Sequence, residues 1–221
     1  MERVIQFWDY IFANQQQIIS LTWEHFQLVG LSLVIAIAIG VPIGVMLTTN
    51  EELAETVLQV TNMIMTIPSI ALFGLMMPIL SLINQGIGFL PAIIALVLYS
   101  QLPIIRNTYL AIKNVNPYIR DAAIGLGMTK VQRLLKVEIP NALPIMLAGI
   151  RTAVVLNIGI GAIAAFVGAG GLGVLINQGI SRTHPDMILA GSLLICIISL
   201  IADSLLGWLQ KRFTPMNLRD K

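Results

Sequence analysis

Gly168-Ala169-Gly170-Gly171-Leu172-Gly173 satisfies the G-x-G-x-x-G pattern letter for letter. Such a run cradles a pyrophosphate when a strand leads into it and a helix leaves it. Here a membrane-length apolar stretch precedes it, so it reads as a glycine-rich turn between membrane segments. Asp203 lies inside the last apolar stretch, where a charge costs about 2.5–3.5 kcal/mol at the bilayer centre on insertion scales. It must face protein or water, either for ion coupling or as the structural partner of a basic residue on a neighbouring helix, and the pairing is the favoured reading. Asn157 reads in the same way as an interhelical hydrogen bond ahead of a solute contact, and Ser69, next to Pro68, as a path or interhelical polar residue. His25 and His184 stand far apart, no Ser/His/Asp set is evident, and the single Cys196 lies in an apolar run. That cysteine usage offers neither a disulfide framework nor metal spacing. The chain has no G-x-x-x-x-G-K-[ST] loop, so it does not hold ATP in that manner. Any ATP-driven work must draw on another polypeptide.

The elements that position these residues are membrane segments. Of the 221 residues, 57% are hydrophobic and 11% charged, against about 25% charged in a soluble domain. The net charge of +2 gives no argument for nucleic acid. Five stretches, near 26–48, 57–80, 89–111, 143–166 and 188–209, reach the roughly 20 residues that a helix needs to cross a bilayer. This predicts an all-α polytopic membrane protein with residues 1–221 as a single domain. The first stretch carries Gly40 and Gly44 at the small-xxx-small spacing that lets helices approach closely. In the second, Pro68 frees a backbone carbonyl that must find a partner inside the protein. Residues 1–22 lack the uninterrupted apolar core of a cleavable signal peptide. Apolar and aromatic residues at near-helical spacing over 4–20 predict a helix lying in the interface, or a solvated tail.

Between the third and fourth stretches runs the only long polar segment flanked by two membrane spans, NPYIRDAAIGLGMTKVQRLLKVEIPNALP, residues 116–144. Ile119, Ala122, Ala123 and Leu126, then Val131, Leu134 and Leu135, recur at helical spacing. They predict two short amphipathic helices, with Gly125 and Gly127 at the turn, where positive φ is tolerated. Basic residues fix the direction of the chain. With the amino end outside, Arg106, Lys113, Arg120, Lys130, Arg133, Lys136 and Arg151 face or flank the inside, with Lys211, Arg212, Arg219 and Lys221, leaving only Arg3 and Arg182 outside. The positive-inside rule places the loop over residues 112–142 and the carboxyl end in the cytoplasm. A membrane protein that folds an amphipathic hairpin out of its bilayer offers a surface to something in water.

Asp121-Ala122-Ala123, Gly127, and Val137, Ile139 and Pro140 resemble the "EAA" loop of binding-protein-dependent ABC importer permeases, roughly E-A-A-x-x-x-G, nine residues, then I-x-L-P. Asp121 stands for the glutamate, and Val137 and Ile139 for the two later aliphatics. The segments QVTNMIMTIPSIALFGLMMPIL, PAIIALVLYSQLPIIRNTYLAIKNV and FVGAGGLGVLINQGI are similar to the osmoprotectant branch, the permeases of glycine betaine, carnitine and choline importers. The resemblance covers nearly the whole chain and implies a five-helix permease core in a prokaryotic cell membrane. It further implies a second permease subunit, identical or homologous, a cytosolic ATPase docked on the hairpin, and an extracytoplasmic substrate-binding protein. Under it Asp121, Ala122, Ala123, Gly125, Gly127 and Pro140 belong to the ATPase-coupling loop, and Gly168, Gly170, Gly171 and Gly173 to a flexible outer gate loop. The chain itself is then no enzyme and carries no cofactor, MgATP residing in the partner. An ABC permease for another small solute such as an amino acid, and an ATP-independent transporter or channel, are the alternatives.

Overall fold

The structure, a computed structural model, describes residues 2–214, with side chains from Ile5 onward. Arg219, Lys221 and the side chain of Arg3, counted in the charge bias, lie outside these. The described residues are helical, with no strand: α1 (Glu2–Ala13), α2 (Gln15–Leu47), α3 (Glu51–Thr66), α4 (Ser69–Ser81), α5 (Phe89–Lys113), α6 (Pro117–Gly125), α7 (Lys130–Arg133), α8 (Ile139–Ile163), α9 (Gly173–Ser181) and α10 (Pro185–Phe213). A π-turn, Leu134–Glu138, joins α7 to α8, and a 3-10 turn, Ala164–Val167, follows α8.

The axis of the fold is α5. Two thirds (67%) of its apolar window is buried, against 33% for α2 and 11% for α10, because α2, α3, α4 and α8 all pack around it. Toward its start it meets Leu28 of α2, Leu72 and Phe73 of α4, and Val167. Toward its end Ala111 and Ile112 meet Ala142 and Met146 of α8. The glycine pair of α2 sits on this axis. A Cβ at Gly40 would lie 2.8 Å from Ile104, and one at Gly44 would lie 2.6 Å from Thr108, so the small-xxx-small spacing is what lets α2 lie directly on α5.

Four helical rods are long and apolar enough to cross a membrane: α2, α5, the continuous run Lys130–Val167, and α10. The stretch predicted as one span over 57–80 is made of two helices, α3 and α4, bent by 100° at their junction; counted as one broken span, the pair is the fifth. Ile67, which precedes Pro68, is forced extended (φ −69°, ψ 128°), and the Tyr99 hydroxyl donates to its carbonyl. The carbonyl that Pro68 cannot serve, that of Ile64, takes the Ile67 amide at 3.2 Å, while the Ile67 carbonyl opened by the extended backbone finds its partner on α5; what proline produces is a break rather than a kink. The first span begins at Gln15, not near 26. Its added turns are held by Ile18 and Leu21 against Leu172 and Leu175 around α9 and Met187 of α10. The amino-terminal amphipathic helix consequently stops at Ala13, where it presents Ile5, Trp8 and Phe12 outward.

Candidate functional site

The hairpin between α5 and α8 is assembled from local signals. Pro117 occupies the first turn of α6, and Asn116 caps it, its side chain accepting from the Tyr118 amide at 2.9 Å. The helix ends in a Schellman motif, with the Met128 amide donating to the Ala123 carbonyl (3.2 Å) and the Gly127 amide to that of Ile124 (2.9 Å). Gly127 takes the left-handed position at φ +74°. Gly125 does not share in the turn; it is the last residue of α6. Thr129 and Gln132 then close a capping box at the start of α7.

Charge locks this hairpin to the helices beneath it. Glu138 is buried at the end of the π-turn. One of its oxygens accepts from Nε of Arg120 on α6 and from Nε of Arg133 on α7, each at 2.9 Å. Arg120 also donates to the Ile112 carbonyl in the last turn of α5 at 3.0 Å, which the Val115 amide shares at 3.3 Å. One carboxylate thus ties four elements together. Its nearest sequence signal was an acidic residue in the variable place of V-x-I-P beside a basic segment, and the sequence reading passed it over. Beside the lock lies a cavity of about 490 Å³, lined by Lys113, Lys130, Glu51 and the same three charged residues among others. Lys113 there pairs with Glu51 at 2.6 Å.

The hairpin's outer surface is apolar and uncovered. Tyr118, Ile124, Leu126, Val131 and Leu135 are all exposed, Tyr118 at 83% and Leu126 at 77%. Of the apolar residues at helical spacing, only Ala123 is buried within α6. Ala122 and Asp121 are exposed, and Asp121 lies in the second turn of α6, away from its N-terminus. Pro140 sits in the first turn of α8. Exposed apolar side chains on a segment between the long apolar helices are the kind of surface that a protein partner covers.

The glycine loop lies at the other end of the molecule's long helices. A helix and a 3-10 turn lead into it, so the strand required by the dinucleotide motif is absent. Gly168, Gly170 and Gly171 all have φ near +80°. Gly173 starts α9 with no room for a side chain, since a Cβ would lie 1.8 Å from the Ala162 carbonyl oxygen. The loop is pinned rather than loose: Glu24 of α2 accepts from the Gly171 amide at 3.0 Å, and the Gly88 amide donates to the Val167 carbonyl at 2.8 Å.

The remaining polar residues resolve into helix contacts. Asn157 donates to Ser100 at 2.8 Å, both fully buried, linking α8 to α5. Asp203 receives a two-pronged bond from Arg151, Nε to Oδ1 at 2.6 Å and Nη2 to Oδ2 at 2.5 Å, linking α10 to α8. Arg151, grouped above with the loop-flanking cations, is therefore a mid-helix ion-pair partner. Ser69 is the half-buried first residue of α4. At the amino end, Tyr10 of α1 stacks near His184 with ring centroids 5.4 Å apart, and burial raises its phenol above the usual value. Among the described residues no three His, Cys, Asp or Glu side chains form a metal cluster.

Comparison with known proteins places this geometry. Residues 18–215 match the family described as the binding-protein-dependent transport system inner membrane component. The osmoprotectant import permease protein OsmW of Salmonella typhimurium is 51% identical over 210 residues, 95% of this chain and 98% of that protein. The carnitine transport permease protein OpuCB of Listeria monocytogenes is 36% identical over 100% of this chain and 97% of its own. The glycine betaine/carnitine/choline permease protein OpuCD of Bacillus subtilis is 38% identical over 98% and 93%. In fold, the chain is similar to one in an inward-facing structure of the MetNI methionine ABC transporter, with a TM-score of 0.83 at 24% identity, covering 92% of this chain and 99% of that one. Helices, hairpin and near-full-length identity agree, and the chain belongs to the family of binding-protein-dependent transport system inner membrane components.

Proposed function

We propose that this multi-pass membrane protein is the permease subunit of an ATP-driven importer of quaternary ammonium osmoprotectants, the class of glycine betaine, carnitine and choline. The observation that carries this reading is the 51% identity over 95% of the chain to an osmoprotectant import permease. In this reading residues 1–221 act as one permease domain and pair with a second permease subunit. The amino end lies outside and the carboxyl end in the cytoplasm, following the basic-residue bias. Each hairpin docks a cytosolic ATPase through the apolar patch around Ile124 and Leu126, with Asp121, Ala122, Ala123, Gly125, Gly127 and Pro140 in or beside the contact. An extracytoplasmic binding protein delivers solute near the pinned loop of Gly168, Gly170, Gly171 and Gly173. The ATPase partner holds MgATP, and this chain holds no cofactor.

The test is uptake. A strain lacking this subunit, grown in hyperosmotic medium, should lose high-affinity uptake of radiolabelled glycine betaine, carnitine or choline and regain it from a plasmid copy. Unchanged uptake of all three, with loss of amino-acid uptake instead, would overturn the substrate class while leaving the transporter class standing.

A further inference from the structure

Along α3, Glu55, Gln59, Asn62 and Thr66 are all exposed and are spaced by three or four residues, so they stack in one polar stripe. The opposite side of the helix packs Ala54 and Val57 against Leu47, Ile105 and Tyr109. The stripe ends at the break before Pro68, next to Ser69. Arg106 of α5 faces its first half, and together Glu55, Leu58, Gln59, Asn62, Leu102 and Arg106 line an open cavity of about 440 Å³. One turn further out on α3 and two turns further out on α5, Glu51 is paired with Lys113 at 2.6 Å. Glu55 and Arg106, by contrast, make no ion pair, and no side-chain hydrogen bond is formed by them or by Gln59 and Asn62. Arg106 lies seven residues, about 10 Å, inside the Lys113 end of a spanning helix. The Thr66 hydroxyl donates to the Met63 carbonyl of its own helix at 2.7 Å, but the unpartnered Glu55, Gln59, Asn62 and Arg106 at that depth are stable only against water, solute or protein.

We propose that this stripe is the subunit's wall of a hydrated solute path and that the Glu55–Arg106 cavity is a transit site for a small zwitterion; the solute class rests on the import reading above. The guanidinium offers paired donors to a carboxylate, the Glu55 carboxylate faces the cationic end, Gln59 and Asn62 replace water, and Leu58 and Leu102 take up N-methyl groups. No aromatic residue lines the cavity, so cation–π capture is absent and the solute is held weakly. Weak holding suits a path whose cargo must leave.

The test uses the complete complex, with its ATPase and binding protein, in liposomes. In a Cys196→Ala background, single cysteines at Gln59, Asn62 and Thr66 should react with a charged, water-soluble methanethiosulfonate at least about tenfold faster than cysteines at Val60 and Leu200. Equal reactivity would overturn the hydrated wall. Arg106→Gln should lower glycine betaine and carnitine transport about tenfold or more relative to choline, which lacks a carboxylate, and Arg106→Lys should restore part of it. An equal loss for all three solutes would overturn the zwitterion site, as would a wild-type complex that carries only choline. A wild type carrying none of the three removes the import reading and the zwitterion site together, while the cysteine rates still judge the wall. A disulfide between cysteines placed at Glu55 in one copy and Arg106 in the other would assign the pair to a permease–permease contact and overturn the proposal.

Discussion

Replacing Glu138 by glutamine keeps the volume and one acceptor oxygen but removes the negative charge that two guanidiniums share. Each charge-assisted hydrogen bond contributes about 1.5–3 kcal/mol, and breaking a buried ion pair costs about 3–5 kcal/mol. Because the Arg120 and Arg133 side chains are 31% and 23% exposed, water recovers part of that loss, and about 3 kcal/mol is the expected cost. The membrane helices do not unfold for this amount. The penalty falls on the docking of α6 and α7, whose open form should become about a hundredfold more populated. Hydrogen exchange on the purified complex reads this directly. Amides from Arg120 to Arg133 should exchange about a hundredfold faster, while those from Ala95 to Ile104 in α5 stay protected. Arg133→Gln should cost less, about 1–2 kcal/mol, since the bonds of Arg120 to Glu138 and to the Ile112 carbonyl survive. The double variant should be less impaired than the two single effects added, because the three side chains form one network. Unchanged exchange in Glu138→Gln, or an equal rise throughout α5, would show that the carboxylate does not hold the hairpin.

Gly127→Ala should destabilise the hairpin by about 1 kcal/mol through its positive φ alone, since nothing lies within 4 Å of the added Cβ; Gly125→Ala should be neutral or stabilising in the same exchange measurement. Gly127→Trp and Asp121→Lys should insert normally yet lose solute-stimulated ATP hydrolysis and transport; normal transport by both at normal expression would remove the hairpin as the coupling element. Arg151→Met alone strands Asp203 and should lower the melting temperature in detergent more than Arg151→Met with Asp203→Leu, which leaves no unpaired charge. Cysteines at Ser181 and Lys130 in a Cys196→Ala background should label from outside and inside cells respectively; labelling of both from outside would refute the orientation.

What the sequence made legible was governed by how local each cause is. The ends of α5 and α10 fall within a few residues of the apolar runs because run length alone decides them. Gly127 was legible as a turn since only glycine takes its backbone at no cost, whereas Gly125 looked identical in one dimension. The start of α2 was hidden by Gln15-Gln16-Gln17, a polar run that stays helical because Ile18 and Leu21 pack on residues more than 150 positions away in sequence. Pro68 announced a disturbance, but a break rather than a kink follows from Tyr99, 32 residues on, reaching the Ile67 carbonyl. Asp203 required protein or water beside it on physical grounds, and Arg151, 52 positions back, supplies the favoured pairing. Glu138 had no such signal, since its partners come from 18 and 5 residues earlier and nothing short-range marks them as converging.

The same contacts decide where a load on the hairpin goes. Arg120 binds both the end of α5, through the Ile112 carbonyl, and the root of α8, through Glu138. These two helices are joined along their length by the Ala111–Ala142 and Ile104–Ala153 clusters and by the Asn157–Ser100 bond. A displacement of α6 therefore enters α5 and α8 as one body instead of bending either. At the far end that body reaches the glycine loop, where Gly88 bonds to Val167 and the loop is tied to α2 by Glu24. The break in helical hydrogen bonding at Ile67-Pro68 lies within the α3–α4 pair, and Tyr99 ties it back to α5. A push on the hairpin would therefore reach the α3–α4 break through α5 and Tyr99, and a change of angle there would need no helix to unwind. The polar stripe of α3 ends at that break, so a change of angle there would reorient the proposed path wall.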